Sequence, residues 1–472
     1  MRLGMDLHDT ICAPATVPGT GAITLIRVSG PEALTVTDRV FRSGQGSLCD
    51  AAGYTIRYGV LVDPTAKDDP VDEVLVSVFR APHSYTGEDS VEISCHASSY
   101  IAGRVMELLC AAGARPAEPG EYTRRAFVNG KLDLAQAEAV ADVISSHSAS
   151  SHRLAMTQLK GGCSRELARI REALLEITSL LELELDFSEE EVQFADRGKL
   201  HSLLVSASER VRGLSDSFHL GNAIKNGVPV AIVGEPNTGK STLLNALLGE
   251  DRALVSDLAG TTRDTIEESM VIEGIRFRFI DTAGLRESEE TVEKMGMERT
   301  LKMLSEADIV LTMVDAALSP DIAVKSLADM ASRVDLSIQR WVIALNKVDY
   351  NNNVKALNKS VLSAYPEAVV LEISALQGTG LEALRQTLVR LVKDRIASAG
   401  EDLLITNARH HEALRQSADA LDAALSALDA GIPSDLIAQD LRAALHHLGT
   451  ITGSITTDEV LGQIFGRFCI GK

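Results

Sequence analysis

No stretch of this 472-residue sequence approaches about 18 consecutive apolar residues, so no transmembrane helix is predicted. The opening MRLGMDLHDTICAP has no basic segment followed by an apolar one, and no secretory leader is expected. The six cysteines (Cys12, Cys49, Cys95, Cys110, Cys163 and Cys469) form no CxxC pair, so they read as reduced thiols without a metal site. Positive charge is in short supply. Lys and Arg number 46 against 66 Asp and Glu, a formal net charge of −20. Phosphate binding depends on Lys and Arg releasing counterions, so any nucleic-acid role needs a local basic patch or a basic partner. What remains is an ordinary globular mixture, 45% hydrophobic and 24% charged. That excludes wholesale disorder, collagen-like repeats and a disulfide-stapled mini-fold, and the length suggests roughly two to four domains.

Three textures follow one another. As far as about residue 127, short β-like runs alternate with turn punctuation. ITLIRV (Ile23–Val28) and VLVSVF (Val74–Phe79) are rich in β-branched and aliphatic residues. In SVEISCH (Ser90–His96), Val91, Ile93 and Cys95 share one face and Glu92, Ser94 and His96 the other. Tyr100–Ala112 reads as a helix, completing an α+β domain. Beyond it, Leu132–Ile144 and Glu166–Leu185 place apolar residues at three- and four-residue spacing, as does Ala413–Leu428 much later. The acidic run Glu189-Glu190-Glu191 reads as a solvated helix end. Between the helical blocks, strand-like and helical stretches alternate, which predicts a parallel α/β domain inserted into an all-helical one. The boundaries fall at 1–127, 128–221, 222–392 and 393–472.

The inserted domain carries the clearest chemistry. VPVAIV (Val228–Val233) reads as a buried strand, and Gly234, Gly239, Lys240 and Ser241 follow in the spacing G-x-x-x-x-G-K-[ST]. Such a loop, through Asn237, Thr238 and Gly239, turns backbone N–H groups toward phosphate oxygens at a helix N-terminus. Lys240 is placed for the β- and γ-phosphates and Ser241 for Mg²⁺, with Thr242 beside it. The strand Arg276–Ile280 ends in Asp281-Thr282-Ala283-Gly284, a carboxylate for the metal and a Gly284 N–H for a γ-phosphate. Trp341–Leu345 is followed by Asn346, Lys347 and Asp349. An acceptor-only carboxylate at Asp349 takes two hydrogen bonds from guanine and rejects adenine. Ser374-Ala375, after Val369–Ile373, is suited to back the base with a backbone N–H. Four motifs in this order, each at a strand end, predict a GTP-binding domain.

Hydrolysis needs an oriented water. The residue after the DTAG motif is Leu285, where Ras-type GTPases place a Gln, and leucine cannot orient water. Glu293, in RESEETVEKMG, reads from spacing alone either as a solvent-facing loop residue or as a water-orienting carboxylate. In ALVSDLAGTTRD (Ala253–Asp264), Thr262 is placed to complete the Mg²⁺ shell. Asn237 offers a neutral oxygen beside the phosphates.

The assembled chain resembles the MnmE (TrmE) family of tRNA-modification GTPases over its whole length. The resemblance rests on ATVPGTGAITLIRVSG, SYTGEDSVE, PGEYTRRAFVNGKLDLAQAEA, GEPNTGKSTLLNAL, GTTRD, DTAGLR and the terminal FCIGK. It implies an α+β N-terminal folate-binding and dimerisation domain, a split all-helical domain and an inserted Ras-like P-loop G domain. It implies K⁺ activation on dimerisation, with Asn237, Ser256, Leu258 and Thr261 around the ion and Glu293 orienting water. Ser256 replaces the threonine associated with that position, a change that a main-chain ligand survives. Matching folate positions are Arg27, Glu92, Lys131 and Lys472, for a 5-formyl- or 5,10-methylene-tetrahydrofolate donor. Glu92 suits the donor edge of a pterin, while Arg27, Lys131 and Lys472 suit folate carboxylates or neighbouring polar groups. Cys469 is marked as part of the modification centre.

By this resemblance the chain is a cytoplasmic homodimer, with no membrane association. It hydrolyses GTP while aminomethyl or carboxymethylaminomethyl groups are added to C5 of the wobble uridine of tRNA. An FAD-dependent partner, MnmG (GidA), would join it in a heterotetramer or larger complex. Two alternatives stay open at this point: a GTP-controlled ribosome or RNA assembly switch, and a folate-dependent methyltransferase regulated by its G domain. The KH-like GxxG loop expected of an Era-like assembly factor is not found in the sequence.

Overall fold

The structure, a computed structural model, describes residues 9–186, 197–249, 268–280, 304–350, 354–399, 404–466 and 468–471. Outside them lie the expected site residues Ser256, Leu258, Thr261, Thr262, Asp281, Thr282, Ala283, Gly284, Glu293 and Lys472, along with Leu285 and the acidic run at 189–191.

Alternation along the early strands builds one sheet. Its strands are β1 (Ile11–Pro14), β2 (Ile23–Ser29), β3 (Phe41–Arg42), β4 (Thr55–Asp63), β5 (Asp69–Phe79), β6 (Ser90–His96) and β7 (Arg115–Pro116), in the order β3-β4-β5-β6-β2-β1-β7. As predicted, Val91, Ile93 and Cys95 of β6 are buried while Glu92, Ser94 and His96 face the other way. The buried face packs on α1 (Ala33–Val40) and α2 (Ser99–Ala111) through Leu34, Val36, Val105 and Leu109. On the opposite face, Ile23, Ile56, Tyr58 and Leu75 remain exposed.

Helices follow: α3 (Glu121–Val128), α4 (Leu134–Ile144), α5 (Ala149–Leu159), α6 (Gly162–Asp186), α7 (Arg197–Asp216) and α8 (Phe218–Asn226). The helical periodicity read at Leu132–Ile144 and Glu166–Leu185 thus corresponds to α4 and α6.

Strand-like runs further along the chain, several of them continuously apolar, make the second sheet. Its strands are β8 (Val228–Gly234), β9 (Glu268–Ile272), β10 (Ile275–Phe279), β11 (Ile309–Asp315), β12 (Arg340–Asn346) and β13 (Val369–Glu372), in the order β13-β12-β11-β8-β10-β9. All neighbours are parallel except β9 and β10. Helices α9 (Lys240–Gly249), α10 (Pro320–Ala331), α11 (Val354–Ala364) and α12 (Leu381–Ala399) cover it. Val230 and Ile232 pack with α9 and α12, whereas Ala231 and Val233 pack with α10 and α11. Burial on both faces is why β8 reads as an unbroken apolar run. The boundaries read at 221/222 and 392/393 fall within α8 and α12.

The chain ends with α13 (Ala408–Asp429), α14 (Ser434–Thr452) and α15 (Asp458–Phe465). It divides into two compact units, 1–141 with 158–196 and 426–472, and 142–157 with 197–425. Within the first, α6 packs along α14, and Leu461 and Phe465 of α15 join Leu134 and Ala137. Among the described residues no helix is long and apolar enough to cross a membrane.

Candidate functional site

The loop between β8 and α9 has its shape forced by backbone sterics. Gly234, Asn237 and Gly239 have φ of +148°, +62° and +95°. A Cβ at Gly239 would collide with the side-chain amide of Asn346, so only glycine fits there. Lys240 opens α9 and folds back over the loop. Its Nζ donates to the carbonyls of Gly234 (3.0 Å) and Glu235 (2.8 Å). Burial pushes its pKa below the ordinary lysine value, so an anion arriving at the loop would restore the favoured ammonium. Thr238 is buried, with its hydroxyl on the Glu235 carbonyl at 2.8 Å, whereas Asn237, Ser241 and Thr242 are exposed. Asn237 has no hydrogen-bond partner among the described residues, so its neutral side-chain oxygen is available at the rim.

Adjacent strand ends complete this site. Asn346 is 2% exposed and bridges two loops: its Nδ2 donates to the Thr238 carbonyl at 2.7 Å, and its Oδ1 accepts from the Ala375 N–H at 2.9 Å. Lys347, at φ +67°, donates to Asp315 at 2.7 Å. Asp349 lies exposed in the 3₁₀ turn Val348–Tyr350, and the Val348 N–H donates to the Ile373 carbonyl at 3.3 Å. The Ser374 hydroxyl accepts from Gln377 N at 3.2 Å, which steadies the turn carrying Ala375. Thr238, Gly239, Lys240, Asn346, Lys347, Ser374 and Ala375 therefore converge beyond the carboxyl ends of β8, β12 and β13. The strand order reverses direction at β8, where open α/β sheets hold ligands. Asp315 was not among the expected residues. Its signal is a run of apolar residues ending in a carboxylate, in register with Asn346 on the neighbouring strand.

A second cluster forms on the open face of the first sheet. Arg27 and Glu92 are directly opposite on β2 and β6. Arg27 Nε and Nη2 both donate to Glu92 Oε1, at 2.9 and 2.7 Å. Of the partners expected for Arg27, the structure supplies a neighbouring polar group. Its guanidinium carbon lies 5.4 Å from the ring centre of Tyr85 and 5.5 Å from that of Tyr122. The Tyr122 hydroxyl donates to the Arg27 carbonyl at 2.7 Å, and Tyr85 shares a 2.9 Å hydrogen bond with Thr123. Burial raises the Tyr85 pKa, keeping it a neutral phenol. Neither tyrosine was expected from the sequence. Lys131 donates to the Pro82 carbonyl at 3.0 Å.

Beneath this cluster lies a network of buried charge. Arg125, 1% exposed on its side chain, pairs with Asp9 (2.5 Å), Glu88 (3.1 Å) and Glu121 (3.0 Å), and Arg115 also reaches Glu121 and Asp9. It ties α3 to the loop carrying Tyr85.

The C-terminal segment meets the same unit. The Gly120 N–H donates to the Cys469 carbonyl at 3.5 Å, and Gly471, at φ +96°, is pressed against Pro14 at the end of β1. Ala13, next to Pro14, pairs with Arg27 across the β1–β2 ladder. Cys469 is exposed. Thr456 and Glu459 stand at the spacing of a capping box, but the N-cap of α15 is Thr457, whose hydroxyl accepts from the Val460 N–H at 3.4 Å. The Thr456 hydroxyl turns instead toward the Thr457 carbonyl. Among the described residues no cluster of His, Cys, Asp or Glu is arranged to hold a metal.

Comparison with known proteins covers both regions. A family model described as "MnmE helical domain" matches residues 134–469, and one described as "GTP-binding protein TrmE N-terminus" matches residues 10–131. A protein of Bacteroides fragilis named tRNA modification GTPase MnmE is 49% identical over 474 residues, 98% of this chain and 100% of that protein. One of the same name from Bacteroides thetaiotaomicron is 48% identical, covering 98% of this chain and all of its own. A third, from Flavobacterium johnsoniae, is 47% identical over 98% of this chain and 99% of that protein.

Proposed function

This chain belongs to the MnmE family of tRNA-modification GTPases, and we propose that it couples GTP hydrolysis to building a substituent on C5 of the wobble uridine of certain tRNAs. The chain is a GTP hydrolase of tRNA modification. The observation that carries it is the Asn346 bridge, which binds phosphate loop and base loop into one nucleotide-shaped site. Full-length similarity to proteins named for tRNA modification favours this over the assembly-switch alternative.

Each residue of the G domain has a task. Backbone N–H groups of the 235–239 loop and the N-terminus of α9 receive the phosphates, and Lys240 moves its ammonium from loop carbonyls to the β- and γ-phosphates. Asp349 accepts from the guanine edge while Ala375 and Ser374 back the ring. Ser241 and Thr262, with Asp281 behind, would hold Mg²⁺, which offsets phosphate charge when bound. Neutral oxygens suit K⁺: Asn237, Ser256, Leu258 and Thr261 would hold that ion, which would supply positive charge to offset charge developing on the phosphates. Glu293 orients the attacking water, the task Leu285 cannot perform. The Gly284 N–H meets the γ-phosphate, flanked by Thr282 and Ala283.

In the N-terminal domain, Arg27 and Glu92 keep unused donor and acceptor atoms, a set that fits a folate. With Lys131 and Lys472 they would hold a 5-formyl- or 5,10-methylene-tetrahydrofolate, which supplies the one-carbon unit when bound. Cys469 is brought to the same unit through Gly120 and belongs to the modification centre. Homodimerisation through the open sheet face is supported by its exposed Ile23, Ile56, Tyr58 and Leu75, an apolar surface that a second copy would cover. An FAD-dependent MnmG-type partner would carry the redox step and much of the tRNA contact, consistent with the −20 charge.

Replacing Asp349 by Asn tests the base assignment. Xanthine carries a carbonyl where guanine carries its amine, so Asp349→Asn is expected to lose GTP affinity and gain affinity for xanthosine triphosphate. Unchanged preference overturns it. Wobble-uridine analysis of tRNA from a deletion strain tests the modification: unmodified C5 is expected, and retained substituents would reject the role.

A further inference from the structure

We infer that the turn between β9 and β10 reports nucleotide state to helix α5 by tightening its cap on that helix when GTP is bound, with Gly274 and Ser150 as the positioning residues. This rests on the nucleotide-site reading above and goes beyond it. The Ser150 N–H, in the first turn of α5, donates to the Gly274 carbonyl at 3.0 Å. The first N–H groups of a helix have no partner within it. The Ser151 N–H is met by the Ser148 hydroxyl at 3.2 Å and the His152 N–H by the Ser148 carbonyl at 3.0 Å. The cap of α5 is thus shared between a serine of its own segment and a carbonyl from the second sheet.

Contact between turn and helix is close. Glu273 and Gly274 stand at φ +47° and +79°, the left-handed pair that a two-residue hairpin turn needs, with Ile272 and Ile275 paired beside them. A Cβ on Gly274 would lie 3.0 Å from the Ala149 Cβ, so the turn sits directly on the helix end. The ion pair of Glu273 with Lys393 of α12, at 2.6 Å, is more than half exposed on both sides and adds little. The backbone contact is what holds the turn.

The other end of the hairpin leads to the nucleotide segments. In the sequence, Thr262 comes shortly before β9 and Asp281 shortly after β10. Strands of this length span about 15 Å, so the turn is distant from the phosphates yet joined to both segments. The ladder pairs Glu268–Ile272 with Ile275–Phe279 throughout, and Arg276 Nη2 donates to the Ser269 hydroxyl at 3.2 Å, so the two strands move as one body. A γ-phosphate held by the Gly284 N–H and the Thr262 segment would fix that body at both ends and keep its turn seated. On the far side of α5, Leu154 packs with Leu220 and Ile224 of α8 and with Leu404. These flank the chain's entry to and exit from the second sheet and its helices, so a change at the cap reaches both connections.

The experiment is amide hydrogen exchange, read by mass spectrometry on the full chain loaded with GDP or with a non-hydrolysable GTP analogue. Exchange in the first turn of α5 is expected to be at least about fivefold slower with the analogue. Gly274→Ala pushes the turn off Ala149, and Ser150→Pro removes the donor in a first helical turn, where proline is tolerated. Each should make exchange equal in the two forms. Coupling is reciprocal, so both variants should also lower affinity for the analogue relative to GDP by the same factor, about fivefold, with GDP affinity within about twofold of wild type. A merely structural contact would instead weaken both nucleotides alike, which overturns the proposal. Equal or faster exchange in wild-type α5 with the analogue also overturns it, and so does a nucleotide response that survives in both variants. Wild-type protein that binds neither nucleotide overturns the nucleotide-site reading itself, a result separable from the others.

Discussion

Asn346 holds Thr238 by its carbonyl at 2.7 Å, so a residue 108 positions away along the chain sets the curvature of the phosphate loop. The same side chain accepts from Ala375, and no water can substitute easily at a side chain that is 2% exposed. Asn346→Ala leaves a buried carbonyl and a buried N–H without partners, at about 1–3 kcal/mol for each. The expected outcome is a fall in affinity for GDP and GTP alike, together with a lower melting temperature. Fluorescent-nucleotide titration and thermal unfolding check it, and wild-type values for both would dismiss the bridge.

Lys240 links nucleotide binding to pH. Burial lowers its pKa in the free protein, and polyphosphate would raise it again. The ligand therefore prefers the protonated lysine, and binding takes up protons between the free and bound pKa values. Affinity should be full below the free-protein value and fall as pH rises through it. Titration at alkaline pH in buffers of different ionisation enthalpy reads the uptake directly. In Lys240→Met that uptake should vanish; if it persists, another group carries the linkage.

Much of this was readable beforehand, for a physical reason. The nucleotide motifs follow strand-like runs, and the strands Val228–Gly234 and Arg340–Asn346 are buried enough to appear as nearly unbroken hydrophobic runs, while the half-buried Val369–Glu372 is marked by its β-branched and aliphatic residues. Contacts between distant segments were not readable. Arg27 and Glu92 are 65 positions apart, and only the β2–β6 register makes them partners. Asp315 looks like any strand-ending carboxylate until β11 is laid beside β12 and Lys347 reaches it. The cap at Thr457 shows the same limit at short range. Two adjacent threonines both suit the N-cap, and spacing alone favoured the one followed three residues later by a glutamate.

Buried charge around Arg125 should show itself in acid. The Glu121 carboxyl, which desolvation alone would raise, is held below the ordinary glutamate value by Arg115, the Glu118 N–H and Arg125. A carboxylate with a lowered folded-state pKa stabilises the fold above its unfolded pKa, and that stability is lost as pH falls through the folded value. Melting temperature should therefore decline below about pH 4.5 in the wild type. In Glu121→Gln the decline should be shallower, from a lower starting point. Arg125→Met strands three carboxylates with less compensation, and a loss of about 3–5 kcal/mol is expected at neutral pH. Denaturant unfolding of the N-terminal domain signal measures it; a loss under about 1 kcal/mol would show the network to be solvated.

The catalytic proposal stands or falls on ions. Leu285 cannot orient water as an amide does, and on the proposed mechanism Glu293 takes that task while a cation balances the γ-phosphate. The rim oxygen of Asn237 is free among the described residues, and potassium prefers such neutral ligands. Steady-state hydrolysis should be faster in K⁺ than in Na⁺ for the wild type. Asn237→Ala should abolish the difference by lowering the K⁺ rate to the Na⁺ rate. Glu293→Ala should be slow in both salts while binding GTP normally, since removing a water-orienting group costs on the order of a hundredfold or more. Equal rates for all three proteins in both salts would remove the machinery altogether. Loss of nucleotide affinity in Glu293→Ala would instead move that carboxylate from the reacting water to the binding site.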